Sequence, residues 1–314
     1  MKTKLFGSLF ILLDIVLSSL LFLHESDFDK KIIMIVFLNV TLCLSFWGRR
    51  YIYSICSNVW KDRKLVWSMA KTDFSNKFAG SFFGVFWAFT QPIVVITIYW
   101  FVFSVGFKSA PVEDFPYLLW LISGICPWFF ANDSINSGTG VMFEYGYIVK
   151  KMSFNLDIIP VVRILSCGFI HFFFVLLIFF VFIINGKFPT CWAVQVIYYS
   201  FCTFAFSLAV VYITSSLACF FKDLTQIVNI LLQLGMWTIP IMYSETMFTK
   251  IDPVFFKINP LYYVVRGYRD SLIYHMPIGS NLNQTVYFWC VTGVLFVIGA
   301  RLYKKMQAHF VDML

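Results

Sequence analysis

Residues 158–184 read IIPVVRILSCGFIHFFFVLLIFFVFII, with Arg163 the only charged side chain among them. At a helical rise of about 1.5 Å per residue, a run of this length crosses the roughly 30 Å hydrocarbon core of a bilayer. Seven further apolar runs flank it, at about 5–23, 32–47, 83–105, 116–141, 192–220, 227–243 and 284–302. Those at 32–47 and 227–243 are short for a span and read as tilted, broken or partly re-entrant. The chain is therefore expected to be an all-α polytopic membrane protein.

Composition leads to the same place. Of the 314 residues, 60% are hydrophobic and 13% charged, where soluble domains average about 45–50% and 25%. The 16 acidic and 24 basic side chains are too few to coat a globule of this size. A single soluble core, a disordered chain and a collagen are excluded. The eight cysteines form no CxxC pair and lie mostly within or beside apolar runs, so neither a metal site nor a disulfide framework is indicated. The net charge of +8 is dispersed in ones and twos, which does not suit a phosphate backbone, and no nucleic-acid partner is expected.

The charge reads instead as topology. If the N-terminus lies in the cytoplasm and the spans alternate, 16 of the 24 Lys and Arg residues fall inside and 8 outside, in keeping with the positive-inside rule. Both termini are then cytoplasmic. The first run follows Lys2 and Lys4 as a signal peptide would, but it carries Asp14 at its middle and no small-residue cleavage site, so it reads as a retained helix. Asp14 is either a proton or partner site, or a carboxyl protonated or hydrogen-bonded against a neighbouring helix.

Between the second and third runs lies WKDRKLVWSMAKTDFSNKFAGSF, residues 60–82. Trp60, Trp67, Ala70, Phe74 and Phe78 share one helical stripe flanked by Arg63, Lys64, Lys71 and Lys77. That pattern predicts a helix in the cytoplasmic headgroup region, with the apolar side down and the basic side chains snorkelling to phosphates. Residues 138–160, GTGVMFEYGYIVKKMSFNLDIIP, form a second cytoplasmic segment that leads into Pro160 at a helix start. It reads equally as a rigid surface for a cytoplasmic motor and as a plain basic turn.

Chemistry-bearing motifs are missing. The histidines are isolated, and the sequence contains no HExxH, HxxxxD, GxSxG or GxxxxGK[ST]. The chain is thus expected to be no enzyme and to bind no cofactor, with any ATP and Mg held by a partner subunit.

Four segments carry a resemblance: the stretch from Trp67 to Pro92; GICPWFFANDSINSGTGVMFEYGYIVKKMSFNLDIIP at 124–160; FFKDLTQIVNILLQLGMWTIPIMYS at 220–244; and INPLYYVVRGYRDSLIY at 258–274. In that order, over about residues 60–310, the chain resembles the permease subunit of ABC-type polysaccharide exporters of the O-antigen, capsule and teichoic acid kind. The resemblance implies a homodimer in the bacterial cytoplasmic (inner) membrane. Two cytoplasmic nucleotide-binding ATPase subunits would drive a lipid-linked glycan through a continuous channel.

It also implies a division of the chain. Residues 1–50 would be an accessory hairpin, which the family does not require; 51–82 the linker and interface helix; and 83–314 a six-span core with a re-entrant outer gate near 245–280. Carried over by segment, Glu144, Tyr147, Lys150 and Lys151 resemble one ATPase-coupling region and Lys222 with Asp223 a second. Trp60, Trp67, Lys71, Phe74, Lys77 and Phe78 resemble the interface helix. Pro253, Asn259, Pro260, Arg266 and Arg269 resemble the outer gate.

Two features bear on a channel without the family. Gln226, Asn229, Gln233 and Trp237 recur on one face of the seventh run, where amides avoid lipid and meet either a wet path or hydrogen-bonding partners on another helix. Trp87, Tyr99, Trp100 and Trp128 suit either a membrane interface or a sugar-stacking wall. Ser200, Thr203, Ser207 and Thr214 read as a packing seam. An exporter of a small amphipathic drug or lipid, and a membrane-embedded glycosyl- or acyltransferase, are the competing functions.

Overall fold

The computed structural model describes residues 28–106, 115–151, 155–248, 250, 252 and 254–313. The first apolar run with Asp14, and the gate candidate Pro253, lie outside the described residues. The described chain is built from helices, as expected in lipid, where only internal hydrogen bonds satisfy the backbone.

Helix α1, Phe28–Lys61, is followed by α2, Arg63–Asn76, and by α3, Phe86–Trp100, which continues as a π-helical segment over Phe101–Gly106. Next come α4, Tyr117–Thr139; the short α5, Val141–Glu144, and α6, Gly146–Lys151; and the long α7, Ile158–Ile184. A 3-10 turn at Cys191–Val194 opens into α8, Gln195–Ala218. The chain closes with α9, Leu224–Thr238; α10, Val254–Lys257; α11, Pro260–Leu272; α12, Leu282–Met306; and α13, Phe310–Met313.

Five stretches among the described residues are long and apolar enough to cross a membrane: Phe86–Gly106, Tyr117–Thr139, Ile158–Ile184, Cys191–Ala218 and Leu282–His309. They match the third to sixth and the eighth apolar runs. The second run behaves differently. It is part of a single helix that passes through Arg49 and Arg50 and ends at Lys61, and the chain turns at Asp62.

The seventh run also departs from a full span. Its 15-residue helix is about 22 Å long, short of the hydrocarbon thickness. The cause is local: Ile239 precedes Pro240 and adopts an extended conformation (φ −99°, ψ 132°), as the proline ring demands. The chain then doubles back. Asn259 accepts a hydrogen bond from the Leu261 amide and Pro260 sits at the first helical position, which starts α11 heading into the bundle. Nearly all of α11 is buried.

Helix α4 is the hub, packed against α7, α8, α9 and α11, while α1 runs along α12 and α12 along α8. Small residues set the closest approaches. A Cβ on Gly267 would lie 2.0 Å from the Tyr199 ring, and one on Gly138 would lie 2.6 Å from Val211, so α11 and α4 reach α8 only as glycines. Thr203, Ser207 and Thr214 are buried along the same helix, and Thr139 donates to Thr214 at 2.9 Å. A cluster of the buried His171 and Tyr268 with the half-buried Ser200, linked at 2.6–3.0 Å, joins α7, α8 and α11.

Candidate coupling platform, polar face and outer gate

At the end of the bundle expected to face the cytoplasm, α2 lies against α7. Its buried face carries Val66 and Ala70, and at 100° per residue Asp73 and Lys77 fall on that face too. Trp67 and Phe74 lie about 90° further round, whereas Trp60, expected on the same stripe, belongs to the last turn of α1, before the turn at Asp62, and Phe78 lies just beyond the end of α2. The expected downward stripe is therefore not simply a lipid face: Trp67 and Phe74 meet the edge of Phe169 on α7 at 5.4 and 5.6 Å. Trp60 stays exposed, and Lys71 lies 5.5 Å over the Trp67 ring. Lys77 pairs with Asp133 of α4 at 3.3 Å.

Arg163 organises this end of the molecule. Its guanidinium is buried, 3.3 Å from Asp73 of α2, and paired also with Glu144 of α5. The Tyr145 hydroxyl donates to Asp73 at 2.7 Å. Burial, reinforced by that hydrogen bond, pushes the Tyr145 phenol well above its ordinary pKa and keeps it a donor. One cation thus ties three helices. Removing it would strand a buried carboxylate at a cost of about 3–5 kcal/mol.

The two coupling candidates come together here. Lys222 reaches over the Phe143 ring at 5.7 Å, which places the 220–223 turn beside α5. Tyr147, Phe220, Phe221 and Asp223 are exposed around the junction, and Lys150 and Lys151 lie on α6 next to Tyr147. Asp73 escaped sequence reasoning, although Val66, Ala70, Asp73 and Lys77 at i, i+4, i+7 and i+11 already mark a face with polar members.

On α9, Val228 and Leu232 are buried against the bundle, while Gln226, Gln233 and Trp237 are exposed and Asn229 is half-buried. The polar face thus points away from this chain's own core. The other aromatic candidates are scattered. Trp128 is buried in the core against Gly235, away from that face. Trp87 and Trp100 are exposed and Tyr99 half-buried on α3. Trp87 borders a cavity of about 240 Å³ between α3, α4 and α7, whose walls include Lys77, Asp133 and His171.

The outer gate candidates converge on α11. Asn259 caps the helix and donates to Thr238 at the end of α9 at 3.3 Å. Arg266 pairs with Asp270 at 2.9 Å and lies over the Tyr274 ring at 4.5 Å. Arg269, only 4% exposed, donates to the Pro240 and Ile241 carbonyls at 2.7 and 2.8 Å and sits 3.4 Å over the Trp120 ring. Carbonyls that follow a helix end have no helical partner, and this guanidinium supplies one. Gly124 leaves room for it, since a Cβ there would come within 2.6 Å of Nη2. The Tyr117 hydroxyl donates to the Met242 carbonyl at 2.6 Å, fixing the same turn from α4.

No group of three or more His, Cys, Asp or Glu residues capable of holding a metal occurs among the described residues.

Comparison with known proteins agrees with this architecture. The O-antigen export system permease protein RfbA of Klebsiella pneumoniae is 26% identical over 252 residues, 77% of this chain and 92% of that protein. The RfbA protein of Myxococcus xanthus is 23% identical over 259 residues, 81% of this chain and 96% of its own length. The ABC-2 type transporter family matches residues 64–273, from the start of α2 to the end of α11. The chain is a multi-pass membrane protein and belongs to the ABC-2 type transporter family.

Proposed function

We propose that this chain is the permease subunit of an ATP-driven exporter that moves a lipid-linked polysaccharide of the O-antigen kind across the bacterial cytoplasmic membrane. The observation that carries the reading is the cytoplasmic junction where Lys222 meets Phe143 and Arg163 binds α2, α5 and α7 into one body. A separate ATPase docks around it, on the exposed Tyr147, Phe220, Phe221 and Asp223 and on α6, which carries Lys150 and Lys151. Movement there reaches α7 through the Arg163 ion pairs, because buried charges separate only at high cost.

Two permease chains and two ATPase subunits form the working unit, with ATP and Mg held by the ATPase and both permease termini cytoplasmic. The exposed amide face of α9 lines the path. Amides in hydrocarbon would lose their water partners at several kcal/mol each, whereas a passing sugar chain exchanges hydrogen bonds with them one after another. Trp237 offers a stacking plane further out. The names of the similar O-antigen permeases favour this reading over export of a small amphipathic compound or a membrane-embedded transferase.

The test is genetic and chemical. Cells depleted of the chain should accumulate lipid-linked glycan on the cytoplasmic face of the membrane, and re-expression should clear it. Normal surface glycan without such accumulation would refute the proposal.

A further inference from the structure

Residues 155–157 link the coupling turn to α7, and the residues that fasten them lie largely outside the 64–273 family match. The Asn155 side-chain amide donates to Asp62 at 2.8 Å. The Leu156 carbonyl accepts from the Tyr303 hydroxyl at 2.7 Å, and the Asp157 carbonyl from Tyr212 at 2.8 Å. The Asp157 carboxylate is fully buried, takes a hydrogen bond from Asn58 at 2.6 Å, and is paired with Lys304.

Asn58 lies in the last turn of α1 and Asp62 just beyond it, while Tyr303 and Lys304 belong to the cytoplasmic end of α12. A buried carboxylate persists only where donors converge on it. Here the donors come from two helices packed along each other. Each of residues 155–157 is thus tied to the end of α1 or α12, helices that flank the coupling turn without belonging to it, while Tyr212 of α8 holds the Asp157 carbonyl as well.

We propose that the cytoplasmic ends of α1 and α12 form a strut that holds the coupling turn stiff, with Asn58, Asp62 and Lys304 as its positioning residues. Force applied by the ATPase at α6 is then passed to the bundle instead of being absorbed by bending at 155–157. The cytoplasmic end of α1, although N-terminal to the family match, belongs to the drive. The inference rests on the reading of α5 and α6 as the ATPase contact.

The experiment uses the full chain co-purified with its ATPase and reconstituted in proteoliposomes with lipid-linked glycan. Three quantities are read: ATPase retained per permease, ATP hydrolysed, and glycan moved per ATP. N58L and K304M should retain the ATPase and hydrolyse ATP within about twofold of the parent, while glycan moved per ATP falls by about fivefold or more, within the range of residues that carry coupling. K304R should restore most of the ratio. A merely structural role would lower hydrolysis and transport together.

D62A, at a half-exposed site, is the second variant and should lower the ratio less but in the same direction. Should N58L and K304M, which touch the buried Asp157 carboxylate, fail to fold, D62A alone decides. A full ratio in every variant that folds, D62A included, overturns the strut. A Tyr147→Cys permease that cannot be cross-linked to the ATPase overturns the docking reading and the strut with it, a failure distinguishable from an unchanged ratio with normal cross-linking.

Discussion

Two buried arginines anchor opposite ends of the molecule by different chemistry. Arg163, where α2, α5 and α7 meet, is met by two carboxylates, Asp73 and Glu144, whereas Arg269 on α11 is met by two backbone carbonyls and the face of Trp120. An ion pair between side chains can be released by neutralising the partner as well as by removing the cation. A guanidinium bound to carbonyls has no partner that substitution can neutralise. The Arg163 anchor is therefore built from exchangeable parts, and the Arg269 anchor is not.

The largest effect should come from Arg269. R269M leaves two buried carbonyls unpaired and uncovers Trp120, a loss of roughly 4–7 kcal/mol in sum. Most of the protein should then be lost as aggregate in size-exclusion chromatography of detergent extracts. R269K should not recover it, because a single ammonium lacks the planar fork that reaches both carbonyls. Full recovery by lysine would erase the difference between the two anchors.

R163M should cost about 3–5 kcal/mol, read as a lowered thermal unfolding temperature. The comparison becomes sharp in the double variant: R163M with D73N should regain a large part of the loss, since the stranded carboxylate is gone. Strict additivity of the two substitutions would show that the pair is not coupled.

A smaller effect is expected from G124A, which brings a methyl group against the Arg269 guanidinium. Overpacking of this kind costs about 1–3 kcal/mol, and thiol access to a cysteine introduced at Trp237 should change while ATPase retention does not. Y145F, the smallest, removes one hydrogen bond to Asp73 for about 0.5–1.5 kcal/mol. If G124A lowered ATPase retention more than Y145F, the two ends would not be separate devices.

Much of this arrangement was legible in the sequence. The run at 158–184 is the helix Ile158–Ile184, and it ends where Gly186 adopts a positive φ of 73° and Lys187 bonds back to Phe182. Pro240 stops α9 inside the run read as 227–243, and Asn259 with Pro260, singled out through the resemblance, starts α11; both follow local rules for proline and caps. The rotation of α2 was not legible in the same way. Its aromatic residues drew attention to one stripe, but the face that is buried is chosen by Arg163, a partner 90 positions later.

The role of Arg269 was hidden for a related reason: its acceptors are main-chain carbonyls, which no side-chain pattern reveals. Trp128 and Trp237 look alike in sequence, yet one packs on Gly235 and the other is exposed. Asn58 and Asp157 are 99 positions apart, and neither belongs to a recognisable motif.

The central claim, that this chain is a passive conduit driven from outside itself, is tested most directly by reconstitution. The permease should be purified with and without its co-purifying ATPase, placed in proteoliposomes with lipid-linked glycan, and assayed for ATP hydrolysis and glycan translocation. Both activities should appear only when the ATPase is present, at equal stoichiometry with the permease, and neither with the permease alone. Hydrolysis of ATP or ATP-dependent movement of glycan by the permease alone would contradict the claim.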